Sequence, residues 1–504
     1  MSSTITAVRL LSVPLTNDYI HTLYFANATA QTNYFASKVV KSGNDFSYQR
    51  KDKIIRYPLG VDSLRNCNYV MYQNSAFTDK WFYAFITNME YINDEMTAIS
   101  IETDVIQTWL FDYKIQPSFI EREHVDSDVT GEHTVPEQLE TGEFVCNELI
   151  RDISMQDYVY VVQVTEDLNG GALYATNYGG VLCAGGAYIC STGLELVSIV
   201  NEYANKGKAD AVFSVYLIPK TIITNTSETL LYSGQDSPTT YNVSFAKQTD
   251  LDGYEPRNKK LLCYPYNYIL LSNNSGSSNI LQYEHFSTTD CKFEVAGVPT
   301  VGGSVKCSPL NYKGLERMQQ EGLVLGKFPT CSWSADLYTN WLTQNAVNIG
   351  LGVASGGLQV VGGAVGGSPA SIANGALAIA QTVGQVHQMS FTPNSARGNT
   401  NGGDINTCYK MNLFYFHKMS IKSEYARIID GYFDMYGYKV NRVGVPSHGH
   451  RENYWYTKTI DVNITGNVPM DDMRKIKDCY NRGITFWYTP ANIGNYSVTN
   501  ECCG

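Results

Sequence analysis

Residues 81–111 read WFYAFITNMEYINDEMTAISIETDVIQTWLF. The arm from Trp81 to Ile92 is apolar on both alternations, the pattern of a strand covered on both faces. The polar turn Asn93-Asp94-Glu95 follows, and TAISIETDVIQTWLF after it predicts the returning arm of a hairpin. The first 125 residues are rich in such signals, so the N-terminal part is expected to be β-rich.

Downstream, HVDSDVTGEHTVPEQLETGE (124–143) is acidic and holds Gly and Pro, and reads as a linker or surface excursion. From Tyr158 the pattern becomes β-α-β. YVYVVQV is a strand, Thr192 to Asn205 a helix and AVFSVYLIP (211–219) the returning strand. The helix carries Leu196, Ile199, Val200 and Tyr203 at helical spacing, and Gly207 is placed to end it. A similar unit closes the chain. YWYTKTIDVNI should present Ile460, Val462 and Ile464 on one face, and a helix from Pro469 to Asn481 should turn Met473, Ile476 and Tyr480 inward. Gly483 ends that helix, and ITFWYTP returns as a strand. These two units suggest a duplicated barrel-plus-helix module.

Length, 504 residues, fits three or four domains at about 100–200 residues each. The 37 tyrosines favour β-structure and large subunit contacts. A net charge of −11 argues against a nucleic-acid clamp, which needs clustered Lys and Arg, and would suit a surface that DNA passes without sticking. The 12 cysteines form no CxxC or knuckle spacing, so buried free thiols are expected, with Cys502 and Cys503 on a loose tail. The N-terminus has no basic region followed by an apolar core and does not read as a signal peptide.

Catalytic patterns are missing. His448 and His450 flank Gly449 in HGH, which reads as a turn, because no further ligand lies at metal spacing. Glu121, Glu123 and His124 in EREHV read as a solvated charge cluster or a subunit salt bridge. Neither a phosphate-binding GxxxxGKS loop nor a GxSxG elbow occurs, and the glycine pairs near residue 360 lack the lysine such loops require. The expectation is a protein without catalytic residues, metal or cofactor.

No Asp, Glu, Lys or Arg occurs from Leu337 to Ala396. About 20 residues cross a bilayer core as a helix. The segment can supply two such spans, Asn345 to Gly367 and Ser371 to Gln388, with Ser368-Pro369 as the turn. Ile349, Leu351, Val353, Leu358, Val360, Val361, Val365, Ile372, Leu377 and Ile379 are the candidate membrane-active side chains. Gly352 and Gly356, Gly362 and Gly366, and Gly363 and Gly367 are four apart, and Ala376, Ala380 and Gly384 continue that spacing, which lets helices approach closely in lipid. So many glycines make a poor helix in water. Membrane insertion, a buried packing hairpin and a disordered loop all remain open on composition. An integral membrane protein is disfavoured by a mean hydropathy of −0.21 and by missing basic flanks.

Four stretches carry a resemblance: NYVMYQNSAFTDKWFYAFITNMEY (68–91), IETDVIQTWLFDYKIQPSFIEREHV (101–125), GYEPRNKKLLCYPYNYILLSNNSG (253–276) and FPTCSWSADLYTNWLTQN (328–345). In order along the chain, they resemble the tail knob proteins of φ29-like short-tailed phages of Gram-positive bacteria. The resemblance is weaker between about residues 131 and 203 and over the last hundred.

That resemblance implies a mainly β fold with some α (α+β), with tail-tube-like β-barrel domains in a ring-forming subunit and a long hydrophobic loop inserted. It implies a homo-hexamer at the distal end of the tail, joined to the upper tail (lower collar) protein and assembled in the host cytoplasm. DNA would pass through the lumen without specific binding. The loops would plug the tube and then enter the host cytoplasmic membrane as a channel. By position and character the loop corresponds to Leu337 to Ala396, although the segment is short and glycine-rich for that role, leaving the number of crossings open. The expected division is 1–130 as an N-terminal tube domain, 131–250 as an α+β knob domain, and 251–336 with 397–504 as a second tube-like domain, into which 337–396 is inserted. The alternatives are a receptor-binding adhesin with a Tyr-rich, sugar-contacting surface, and a cell-wall hydrolase, for which no carboxylate pair or zinc set is visible.

Overall fold

The computed structural model describes residues 4–44, 46–47, 53–74, 77, 80–169, 176–178, 181–183, 186–223, 239–297, 304–325, 328, 330–332, 397–399, 406–407, 409–446 and 448–503. The helices used below are α1 (Ala28–Ser37), α2 (Val105–Trp109), α3 (Gly193–Asn205), α4 (Ser423–Tyr436) and α5 (Met470–Arg482). The architecture is mainly β. Packing divides the chain into two units: Met1–Gly142 with Tyr254–Leu261 and Ser423–Gly504, and Glu143–Gly253 with Leu262–Lys422. The sequence grouping joined 397–504 to 251–336, whereas by packing Ser423–Gly504 goes with Met1–Gly142.

The first unit contains an antiparallel sheet in the order Val39–Gly43, Thr4–Leu11, Tyr69–Asn74, Trp81–Asn93, Met96–Thr103, Ile54–Tyr57. The hairpin forms as the sequence predicts, with Asn93 opposite Met96. Its first arm is covered only over Phe82–Phe85; beyond Ile86 it runs into solvent and exposes Tyr91. The returning arm stops at Thr103, because Asp104 adopts an extended conformation and caps α2, so DVIQTW is a helical turn and not strand. Phe35 of α1 lies on Tyr69 and Tyr83 of this sheet.

A second sheet of this unit runs His21–Leu23, Ile484–Trp487, Tyr454–Ile460, Ser118–Glu123, Tyr438–Gly444. Tyr454, Trp455 and Tyr456 are buried, as are Val462 and Ile464, but Ile460 is exposed. Asp461 sits at φ +56, ends the strand and breaks the expected alternation. Between Pro469 and Gly483, α5 buries Ile476 and Tyr480, with Met473 half-buried. Asp471 and Asp472 in its first turn and Arg482 in its last complement the helix dipole.

In the second unit a four-stranded sheet runs Phe144–Arg151, Tyr415–Ile421, Asn267–Ser272, Ser278–Leu281. A five-stranded sheet runs Gly186–Cys190, Tyr158–Val164, Val212–Pro219, Thr330–Ser332, Arg397–Asn399. The helix α3 forms where the spacing predicts, with Thr192 as its cap, and Ile199 and Tyr203 are its buried residues. The strands Tyr158–Val164 and Val212–Pro219 are antiparallel neighbours, so the β-α-β reading is corrected: Gly186–Cys190 intervenes and feeds α3. A third sheet pairs Thr239–Ala246, Asp290–Gly297 and Val305–Tyr312 in order.

Among the described residues, many tyrosines serve the cores. Tyr69, Tyr83, Tyr454 and Tyr480 are fully buried in the first unit, and Tyr203, Tyr266, Tyr283 and Tyr312 in the second. Cys67, Cys190, Cys263, Cys291, Cys307 and Cys479 are buried free thiols, as expected, while Cys146 and Cys503 are exposed. The C-terminal tail is not loose. Asn500 accepts from the backbone N–H groups of Asn453 and Tyr454 and donates to the Tyr454 carbonyl, and the Cys503 N–H donates to His450 O at 2.8 Å.

Candidate functional site

Two of the sequence stretches that carry the family resemblance form polar centres of the first unit. In Asp104-Val105-Ile106-Gln107-Thr108-Trp109, every polar side chain has a buried task. Asp104 accepts from Gln107 N at 3.0 Å and from Tyr69 Oη at 2.8 Å. Gln107 Nε2 donates to Thr22 Oγ1 and Leu23 O, and its own Oε1 accepts from Gln31 at 2.9 Å. Thr108 Oγ1 bonds both backbone groups of Tyr83, and Trp109 Nε1 donates to Asp472 at 3.0 Å. Burial pushes Asp104 up to about 6 against the pull of these donors.

The second centre holds the strap Tyr254–Leu261, from GYEPRNKKLL. Asp430 and Asp434 lie four residues apart on α4 and so share one face. Asp430, fully buried, accepts from Tyr254 Oη at 2.7 Å, Arg257 N at 2.9 Å, Asn258 N at 3.0 Å and Asn258 Nδ2 at 2.8 Å. Asp434 pairs with Arg257 and accepts from Asn258 Nδ2 at 2.8 Å; burial raises it to about 6. Glu137 is buried between Lys260 and Arg122, and Asp128 takes Lys259 N and the Tyr438 hydroxyl. The acidic stretch 124–143 runs largely over the surface, as expected, but two of its acids, Asp128 and Glu137, turn inward as acceptors for the strap.

A cleft of about 590 Å³ opens beside the strap, lined among others by His124, Asp128, Arg257, Lys259, Asp434 and Arg451. Asp128 and Asp434, two of its carboxylates, accept from strap donors. His124 accepts from Tyr456 N at its Nδ1 and faces Asp434 O through Nε2; burial and Arg451 push it down to about 3, so it stays neutral. Glu123 is buried against Arg442, and Glu121 pairs with Lys458. Arg122, Glu123 and His124 are thus buried within the chain, which corrects the solvated reading for them, while Glu121 stays half-buried. Gly449 does turn the HGH stretch, at φ +96, and its N–H donates to Tyr488 Oη at 2.8 Å. Among the described residues no group of three or more His, Cys, Asp or Glu could hold a metal ion.

The candidate membrane-active residues, Ile349 to Ile379, the small-residue positions Gly352 to Gly384 and the turn Ser368-Pro369 lie outside the described residues. What precedes and follows them is described in part: Thr330–Ser332 and Arg397–Asn399 are antiparallel neighbours, with Ser332 opposite Arg397. Among the described residues no helix is long and apolar enough to cross a membrane.

Both centres are buried polar motifs that tie helices, sheets and strap together within the first unit, an arrangement that serves structure. The family model of the Bacillus phage phi29 tail knob protein gp9, C-terminal domain, matches residues 224–501, and that of the caudoviral major tail protein N-terminus matches residues 4–114. The chain belongs to the phi29 gp9 tail knob family. It is 26% identical to the tail knob proteins gp9 of Bacillus phages phi29 and B103, with 98% of each chain covered. The alignment with the phi29 protein spans 601 positions, more than the 504 residues of this chain, so that relative carries insertions this chain lacks. The tail knob protein gp12 of bacteriophage C1 has a similar fold, with a TM-score of 0.69 at 14% identity, covering 99% of this chain and 100% of that one. The chain is a structural component of the virion tail knob, assembled in the host cell, and not an enzyme.

Proposed function

We propose that copies of this chain form the distal tube of a short phage tail, and that segment 337–396 first stops the lumen and then opens the host cytoplasmic membrane. The observation that carries this reading is the pairing of Ser332 with Arg397. Chain entering and leaving the uncharged segment meets on one rung, so the segment projects from a single anchored point as a hairpin would. Inside a tube, six such segments shield one another from water; once released, their aliphatic side chains are buried in lipid. Gly352, Gly356, Gly362, Gly363, Gly366 and Gly367, with Ala376, Ala380 and Gly384, let the helices pack closely around a pore, and Ser368-Pro369 turns between two spans. The first unit acts as tube wall, joined to the upper tail protein, and the net charge of −11 lets DNA pass without retention. The adhesin alternative has less support, because so many tyrosines are used in the cores.

Dye release from liposomes tests the reading. The full chain should release dye, and the same chain lacking 337–396 should not. Equal release by both, or none by either at any pH from 4 to 8, sinks the membrane step.

A further inference from the structure

The four-stranded sheet of the second unit breaks the usual alternation of antiparallel sheets, apolar toward the core and polar toward water. Its inner face carries Ile269, Leu271 and Phe416, all fully buried. Its outer face carries two apolar rows as well, bordered by a polar row of Arg151, Tyr415, Ser272 and Ser278. One outward row crosses all four strands as Leu149, His417, Leu270 and Ile280. The next row is Cys146, Met419 and Tyr268, with Phe144 edge-on to the Tyr268 ring at 5.6 Å. Neither row holds an acid, a lysine or an arginine, and burial lowers the His417 pKa, which favours a neutral ring. Leu149 is 39% exposed and Ile280 47%. A contiguous apolar face of this size marks a surface that something covers.

We infer that this outer sheet face, centred on Leu149, Leu270 and Ile280, is the seat on which the uncharged segment 337–396 of the same chain lies before release. This rests on the reading of that segment as a stowed plug. Two observations single out the occupant. The chemistry matches, since an uncharged aliphatic segment meets two central rows without charges, while Arg151, opposite Tyr415 on the same face, is exposed at their border and can keep its head in water. The segment is also tethered within the same unit, both its ends joining the strands that pair at Ser332 and Arg397. A helix of about 20 residues spans about 30 Å, and an extended arm of that length about twice as far, so a seat elsewhere in the unit is within reach.

Cys146 lies on the face and is its natural reporter. Maleimide labelling of Cys146, resolved by peptide mass spectrometry, would be compared between the full chain and a chain with 337–396 replaced by a short linker. The Ser332–Arg397 pairing gives that linker only a narrow gap to close. Labelling should be about tenfold slower in the full chain, as for a site exposed only by local opening. Leu149→Glu with Ile280→Glu should restore the fast rate with the segment intact. Equal rates in full and deleted chains overturn the proposal. So does slow labelling in both, which would mean that a second copy covers the face. Should the double variant not fold, the deletion comparison decides alone. Protected Cys146 in a full chain that releases no liposome dye would keep the seat and remove the membrane step.

Discussion

Asp430 accepts both the backbone N–H and the side-chain amide of Asn258, at 3.0 and 2.8 Å, across 172 residues of chain. Through this pair α4 holds a strap that arrives from the middle of the sequence, and the acceptor has no water to replace it, because Asp430 is fully buried.

Asp430→Ala should therefore be among the most destabilising substitutions in the first unit. It would strand the Asn258 N–H, the Arg257 N–H and the Tyr254 hydroxyl at once. Each buried orphan costs about 1–3 kcal/mol, so a loss of about 3–5 kcal/mol is expected, less whatever water enters. Urea unfolding measures it, and limited proteolysis should find new cleavage within 254–261. A loss below about 1 kcal/mol would mean that the strap is not held this way.

Asp104 gives the protein an unusual acid response. Its carboxyl is raised to about 6 in the folded state by burial, whereas an unfolded aspartate titrates near 3.9. Between those values the folded protein binds more protons than the unfolded chain, so stability from this group falls as pH rises. The contribution is complete below about pH 4 and is lost on passing pH 6, on the order of 3 kcal/mol in all. Asp104→Asn keeps an acceptor for the α2 N-terminus without the charge, and should flatten unfolding free energy against pH between 4 and 7. A residual slope from Asp434, raised by burial in the same sense, should persist. Parallel curves for the two proteins would contradict this account.

Those two centres also mark what the sequence could and could not reveal. Periodicity of 3.6 locates α3 and α5, and an apolar run ending in the polar turn Asn93-Asp94-Glu95 locates the Trp81 hairpin, because each depends on neighbours within a few residues. DVIQTW misled because Val and Ile favour strands, while the decisive signal was Asp104 as a helix cap. Glu123 reads as solvated or as a subunit salt bridge because a charge is costly to bury alone, and its partner Arg442 is 319 residues away. Glu137, Asp430 and Asp434 carried no local pattern at all; only the fold brings them to the strap. The uncharged stretch was legible from composition, since the absence of charge needs no tertiary context to be seen.

Gly437 supports a different prediction, on backbone conformation. It sits at φ +62, and a Cβ there would come within 2.2 Å of the Glu123 carbonyl oxygen. Gly207 shares the left-handed conformation, at φ +71, but has nothing within 4 Å of the same position. Alanine at 207 should cost about 1–2 kcal/mol, the strain of the conformation alone. At 437 the strand backbone has to move as well, and a loss of about 3–5 kcal/mol is expected. Thermal unfolding of the two variants side by side checks this; equal effects would show that the close approach carries no cost.

The uncharged segment admits a prediction that separates its two kinds of residue. In the proposed pore, aliphatic side chains such as Val361 face lipid, while glycines such as Gly363 let helix backbones approach. Val361→Lys puts a charge in the bilayer, at about 3 kcal/mol in a single helix, and copies around a ring multiply the effect. This variant should neither bind liposomes nor release dye. Gly363→Leu adds apolar surface and blocks close packing, so it should still bind but release dye more slowly. Flotation with vesicles reports binding, and fluorescence dequenching reports release. If both variants lose binding equally, the segment acts as one apolar mass, and four-residue spacing of small side chains has no part in the pore. If Val361→Lys releases dye as fast as the unaltered chain, residue 361 does not face lipid, and the first span from Asn345 to Gly367 is not a membrane helix.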